Sequence, residues 1–130
     1  MIDLEVVEGW PLDIYDRQNR PIGRGEYHRL TANPGYTVVR KTEAGIRRKA
    51  EVSTVWLGMN RAFTPDHAPL IFESMVFGGR RDGEQDRYST ESEALVGHYR
   101  MVRRVSRFRN RDVTAERIAE YSAALSPRAP

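Results

Sequence analysis

Six arginines lie close together near the C-terminus, between residues 100 and 111, with no acidic residue among them. Four of them are spaced i, i+3, i+4 and i+7, so a helix would place their side chains on one face. Like charges at this spacing repel each other, and a helix that keeps them is expected to meet an anionic partner. We therefore predict an anion-binding surface made of Arg100, Arg103, Arg104, Arg107 and Arg111. The alternative is a solvated face whose arginines pair with carboxylates elsewhere in the chain.

A second group with possible chemistry centres on Glu73, which lies within the apolar run Leu70–Phe77. A carboxylate buried in such a run must be protonated or paired. The candidate partners are His98, Arg40 and Arg61. A Glu73–His98 pair beside Trp56 could form a pocket and carry out acid–base chemistry. The alternative is a satisfied contact inside the core.

Other types of reactive site have little support in the sequence. The three histidines, at positions 28, 67 and 98, are far apart, and no HxH or HxxxH pattern occurs, so no metal site is expected. The chain has no Cys, which excludes disulfides and thiolate zinc sites. No nucleophile elbow and no phosphate-binding loop are present. We expect no cofactor and no enzymatic activity.

Composition is consistent with a chain that binds anions. The 130 residues carry a formal net charge of +3 and include 19 Arg but only 2 Lys. Either GC-rich codons or selection for the planar guanidinium group explains that ratio. No apolar run approaches the roughly 20 residues that a membrane span needs, so no membrane partner is expected. Acidic residues at positions 3 and 5 give no indication of a secretion signal.

Alternating apolar and polar residues predict an antiparallel sheet of four to six strands. The predicted strands are Ile2–Val6, Leu12–Tyr15, Tyr36–Thr42, Ile46–Leu57 and Leu70–Phe77. Residues 22–32 have no clear period, and Tyr27–Leu30 is compatible with a short strand. The last predicted strand is apolar on both faces, so we expect it to be central and covered on both sides. The charged segment Arg80–Arg87 is predicted to be a mobile loop.

After residue 90 the apolar period changes from 2 to 3.6, which indicates a helix. Thr90 and Glu93 form a capping box, and the helix is expected to run from Glu91 to Phe108. Its apolar side is predicted to carry Leu95, His98, Tyr99, Met101, Val102 and Val105. A shorter helix is expected over Thr114–Leu125. The prediction is thus an α+β fold with one long and one short C-terminal helix, in a single domain over residues 1–125 with a tail over 126–130.

Three blocks of the sequence, taken in order, resemble a known family. They are Val52–Met59, Pro69–Gly79 and Arg87–His98. The chain resembles, over roughly residues 36–102, a family of small uncharacterised proteins encoded by tailed bacteriophages and prophages of actinobacteria. The resemblance implies a source but no mechanism, because the family has no assigned activity. In the family pattern an Asp-His pair often follows the Leu-Gly sequence that lies here at positions 57 and 58. This chain has Asn60 and Arg61 in place of that pair, so any role of the pair is expected to be absent.

The sequence therefore favours a non-enzymatic phage accessory protein that binds an anionic partner. That partner is an acidic host protein or a nucleic acid backbone, and the residues do not separate the two. One alternative is an enzyme or a nucleotide or small-ligand binder that uses Glu73 and His98. Another is a virion component or a subunit of a homo-oligomer. We expect the protein to act in the cytoplasm of a bacterial host, or to be part of the virion.

Overall fold

The computed structural model describes residues 13–45 and 49–106. These residues form an α+β fold, as the sequence predicts. The elements in chain order are α1 (Arg24–Thr31), α2 (Pro34–Thr37), β1 (Val38–Ala44), β2 (Ala50–Trp56), β3 (Phe72–Phe77), β4 (Gln85–Tyr88) and α3 (Glu91–Ser106). The predicted strand Ile2–Val6, the predicted helix Thr114–Leu125, the tail 126–130, Arg107 and Arg111 lie outside the described residues.

The four strands form one antiparallel sheet in the order β1-β2-β3-β4. A hairpin tip predicted at Glu43–Gly45 is wrong for its first two residues, because Glu43 and Ala44 belong to β1 and pair with Glu51 and Ala50 of β2. The turn begins at Gly45, whose φ of +99° favours glycine. In the middle of the sheet, Thr54 is paired with Ser74 and Val52 with Val76. These residues share one face, and α3 packs across that face.

The start of α3 is the predicted capping box. The Thr90 hydroxyl accepts a hydrogen bond from the backbone N–H of Glu93 at 3.1 Å, and the Glu93 carboxylate accepts one from the N–H of Thr90 at 3.1 Å. The predicted apolar side of α3 is confirmed. Its buried members are His98, Tyr99, Met101 and Val102, and Leu95 and Val105 are half-buried.

A second core cluster surrounds Trp56 and lies under α1 and α2. The rings of Tyr27 and Tyr36 contact the indole, with centroid distances of 5.9 and 5.0 Å. The indole N–H donates to the carbonyl oxygen of Tyr15 at 2.9 Å. The indole is therefore fully engaged as an aromatic anchor of the core.

Residues 24–31 form a helix, so a strand at Tyr27–Leu30 is wrong. Tyr27 and Leu30 are three residues apart and both pack on the Trp56 cluster, a spacing that a helix turns toward one side. The strand predicted at Leu12–Tyr15 is reduced, in the described residues, to isolated bridges at Ile14 and Tyr15. The sequence of α1 is mostly polar, since only Tyr27 and Leu30 anchor this helix to the Trp56 cluster. It therefore shows little apolar periodicity.

Two predictions about the third and fourth strands are also wrong. Residues 85–88 are not loop but the edge strand β4, which pairs with β3 from Phe72 to Met75. The expectation that β3 is covered on both faces fails as well. In the described part of the chain α3 covers one face, while Phe77 on the other face is 52% exposed. No helix of the described residues is long and apolar enough to cross a bilayer.

Gly97 lies where α3 passes closest to β4, directly against the Tyr88 ring. A Cβ atom at position 97 would overlap the ring and the hydroxyl of Tyr88. We expect Gly97→Ala to lower the free energy of unfolding by about 1–3 kcal/mol, as overpacked cores do. Urea denaturation measures this change.

The matched control is Gly25→Ala, because Gly25 lies in α1 with no atom within 4 Å of an added Cβ. That substitution should stabilise the protein by about 0.5–1 kcal/mol, since Ala favours the helix. Equal shifts for the two variants would contradict the close packing of α3 on β4.

Candidate functional site

His98 lies at the centre of a polar row beneath α3. Its Nε2 is 2.8 Å from the Thr42 hydroxyl of β1, and its Nδ1 is 2.7 Å from the Thr54 hydroxyl of β2. Thr54 is also hydrogen-bonded to Ser74 of β3. We call Thr42, Thr54 and His98 the histidine clamp, because they join the helix to two strands.

The histidine clamp holds a neutral imidazole. Burial and the nearby positive charge of Arg40 lower the pKa of His98 from 6.5 to about 4. One ring nitrogen of neutral imidazole donates and the other accepts, and a hydroxyl suits either role. His98 has no solvent-exposed surface, so no substrate in solution reaches it in this conformation. The arrangement suits helix docking rather than proton transfer.

The structure separates the two residues of the predicted acid–base pair. Glu73 lies on the sheet face opposite α3, so it cannot contact His98. Its carboxylate instead accepts a hydrogen bond from Nε of Arg87 at 3.0 Å, with 15% of its side chain exposed. Arg87 is the directly opposite residue on β4. The predicted partners of Glu73 and the pocket with Trp56 are therefore wrong, because neighbouring positions on a strand point to opposite faces.

The exposed side of α3 carries the predicted arginines within the described residues. Arg100, Arg103 and Arg104 are all exposed, and we call them the α3 arginine surface. Among the described residues, Arg100 and Arg103 form no ion pair with a carboxylate. Arg104 differs, since its guanidinium lies 3.0 Å from Asp86 Oδ2 and 3.8 Å from Glu84 Oε1.

The sequence does not indicate that two acidic residues lie beside this surface. It predicts Glu84 and Asp86 in a mobile loop, whereas the structure places Asp86 in β4 and Glu84 immediately before it. Position 86 lies on the same face of β4 as Tyr88, beneath α3. The alternation of Asp86 and Tyr88 was the available signal, but a four-residue polar strand has too little apolar periodicity to detect.

Asn60 joins the two ends of the loop that follows it. Its side-chain carbonyl accepts hydrogen bonds from the backbone N–H groups of Ala62 and Leu70, at 2.8 and 2.9 Å. Its amide donates to Asp13 at 2.7 Å. The loop presents Phe63 to solvent, with 96% of the residue exposed.

No group of three or more His, Asp or Glu side chains in residues 13–45 and 49–106 is arranged to hold a metal ion. No family model matches the chain, and no curated protein or solved structure matches it either. The candidate site is therefore described from the structure alone. It is the α3 arginine surface, whose exposed guanidinium groups can bind anions.

The pKa of His98 predicts a specific pH dependence of stability. The folded-state pKa lies below the unfolded value of 6.5, so the unfolded chain binds the proton first. The clamp's contribution is complete above about pH 6.5 and is lost as the pH falls through 4. We expect His98 to account for about 3 kcal/mol of the acid-dependent loss.

Urea denaturation from pH 7 to pH 4 measures this dependence in the wild type and in His98→Asn. The variant should be less stable at pH 7 and should show a shallower decline. His67→Gln, at an exposed position, is the matched control and should keep the wild-type slope. A wild-type slope in His98→Asn would contradict a buried neutral histidine.

Proposed function

We propose that this chain is a non-enzymatic binding protein that contacts an anionic macromolecule through the α3 arginine surface. It would serve as an accessory protein of a phage, of the kind that its sequence blocks resemble, in the cytoplasm of a bacterial host. The single observation that carries the proposal is the exposure of Arg100 and Arg103 on a helix whose opposite side is fixed to the sheet.

The rigidity of the platform supports this function. The histidine clamp and the capping box hold α3 at its middle and its start, so the helix backbone that carries the two arginines does not need to be ordered on binding. Preorganised groups lose less entropy when a complex forms. Arginine also presents a planar fork that binds carboxylates and phosphates through two hydrogen bonds.

The alternative of a ligand-binding or enzymatic site at Glu73 and His98 has less support. The two side chains lie on opposite faces of the sheet, and each is satisfied by another partner. A role in the virion or in a homo-oligomer remains a separate proposal, and no observation in the described residues favours it over binding through α3.

Charge reversal tests the proposal. Arg100→Glu combined with Arg103→Glu should weaken binding of an anionic probe at least tenfold, because two favourable contacts become repulsive. Fluorescence anisotropy measures the affinity for two labelled probes, a mixed-sequence duplex DNA and a Glu-rich copolymer of Glu and Lys. Circular dichroism should show an unchanged fold, since both positions are exposed.

Arg29→Glu combined with Arg61→Glu is the matched control, because it makes the same change in net charge at exposed positions on α1 and in a loop. The control should bind either probe within twofold of the wild type. The proposal fails if the wild type binds neither probe, or if both double variants weaken binding equally.

A further inference from the structure

The α3 arginine surface is bordered by carboxylates along β4. Asp86 is 48% exposed at its side chain and contacts Arg104, and Glu84 lies beside the same guanidinium. Arg100 is one helical turn before Arg104, and the charges of Asp86, Arg104 and Arg100 all act on the phenol of Tyr88. Positive and negative groups therefore alternate across a small area.

We infer that the partner is a protein surface of mixed charge, with carboxylates that meet Arg100 and Arg103, and not a nucleic acid. Glu84 and Asp86 are the residues that make this distinction. The inference rests on the proposed function, because it specifies the partner of the same surface.

A nucleic acid fits this surface poorly because its charge has only one sign and is dense. Duplex DNA carries one negative charge per roughly 1.7 Å of its axis, so phosphates that approach Arg100 also approach Asp86. Two like charges about 4 Å apart repel even in water. Asp86 pairs with Arg104 at 3.0 Å, and Glu84, which pairs with Arg81 at 2.7 Å, lies 3.8 Å from Arg104. This pairing leaves two arginines of the α3 arginine surface for the phosphates rather than three.

A protein partner meets no such conflict, since it can place a cation or a hydrogen-bond donor opposite Asp86 and acidic residues opposite Arg100 and Arg103. Complementary patterns of charge favour the right partner, and like charges that face each other exclude wrong ones. Glu84 and Asp86 thus disfavour the binding of nucleic acid backbones. Their exposed ion pairs with Arg104 contribute little to stability, so neutral substitutions there should keep the fold.

Removal of the two carboxylates tests the inference with the same two probes. At about 0.15 M salt the wild type should bind the Glu-rich copolymer at least tenfold more tightly than the duplex DNA. Glu84→Gln combined with Asp86→Asn should increase the affinity for the duplex roughly tenfold, because two repulsions are removed and both Arg104 and Arg81 lose their carboxylate partners. The variant should also show a steeper salt dependence of duplex binding, since more cations are available to the phosphates.

The matched control is Glu43→Gln combined with Glu51→Gln. These two residues form a cross-strand pair on the sheet face opposite α3, and their neutralisation raises the net charge equally. The control should leave duplex binding within about twofold, as expected for a charge change remote from the contact.

The inference is overturned if the wild type binds the duplex as tightly as the copolymer, or if the Glu84 and Asp86 variant gains nothing over the control. Failure of the proposed function is a different result. In that case the wild type binds neither probe, or the reversal of Arg100 and Arg103 weakens binding no more than the reversal of Arg29 and Arg61 does, whatever the carboxylate variant does.

Discussion

The position of α3 depends on one constraint. The buried polar side chain of His98, on the side of α3 that faces the sheet, must be hydrogen-bonded. His98 meets this requirement only where Thr42 and Thr54 both reach its ring. A shift of one residue in β2 would turn Thr54 to the other face of the sheet and take its hydroxyl away from Nδ1. The histidine clamp thus selects the strand register and the rotation of the helix together, in a core whose apolar contacts alone tolerate several arrangements.

The charge pattern of the surface follows from that rotation. Once His98 faces the sheet, positions two, five and six residues later must point away from it, and these are Arg100, Arg103 and Arg104. The close approach of Gly97 to Tyr88 then fixes β4 beside the helix, and β4 brings Asp86 to Arg104. A buried hydrogen bond and a missing Cβ therefore determine which charges this surface of the protein presents.

How much the sequence predicts depends on whether the decisive interaction is local. The capping box at Thr90 and the side of α3 that carries His98 depend on spacings within one element, and both are confirmed. The partner of Glu73 lies on β4, a strand of four residues whose sequence has no apolar period. The sequence therefore does not indicate Arg87 as that partner. The helix α1 was missed for the same reason, since its stability comes from the distant ring of Trp56 rather than from its own sequence.

The edge strand β4 contributes to the fold and to the proposed binding surface at once. Arg87 points to one face and pairs with Glu73, whereas Asp86 points to the other and pairs with Arg104. Charged side chains on an edge strand also oppose pairing with the strand of another molecule. Because an exposed ion pair is worth only about 0–1 kcal/mol, Asp86 can exchange Arg104 for a cation of a protein partner with little loss of stability. A nucleic acid backbone offers no such cation, so the Asp86 carboxylate stays close to its phosphates and repels them.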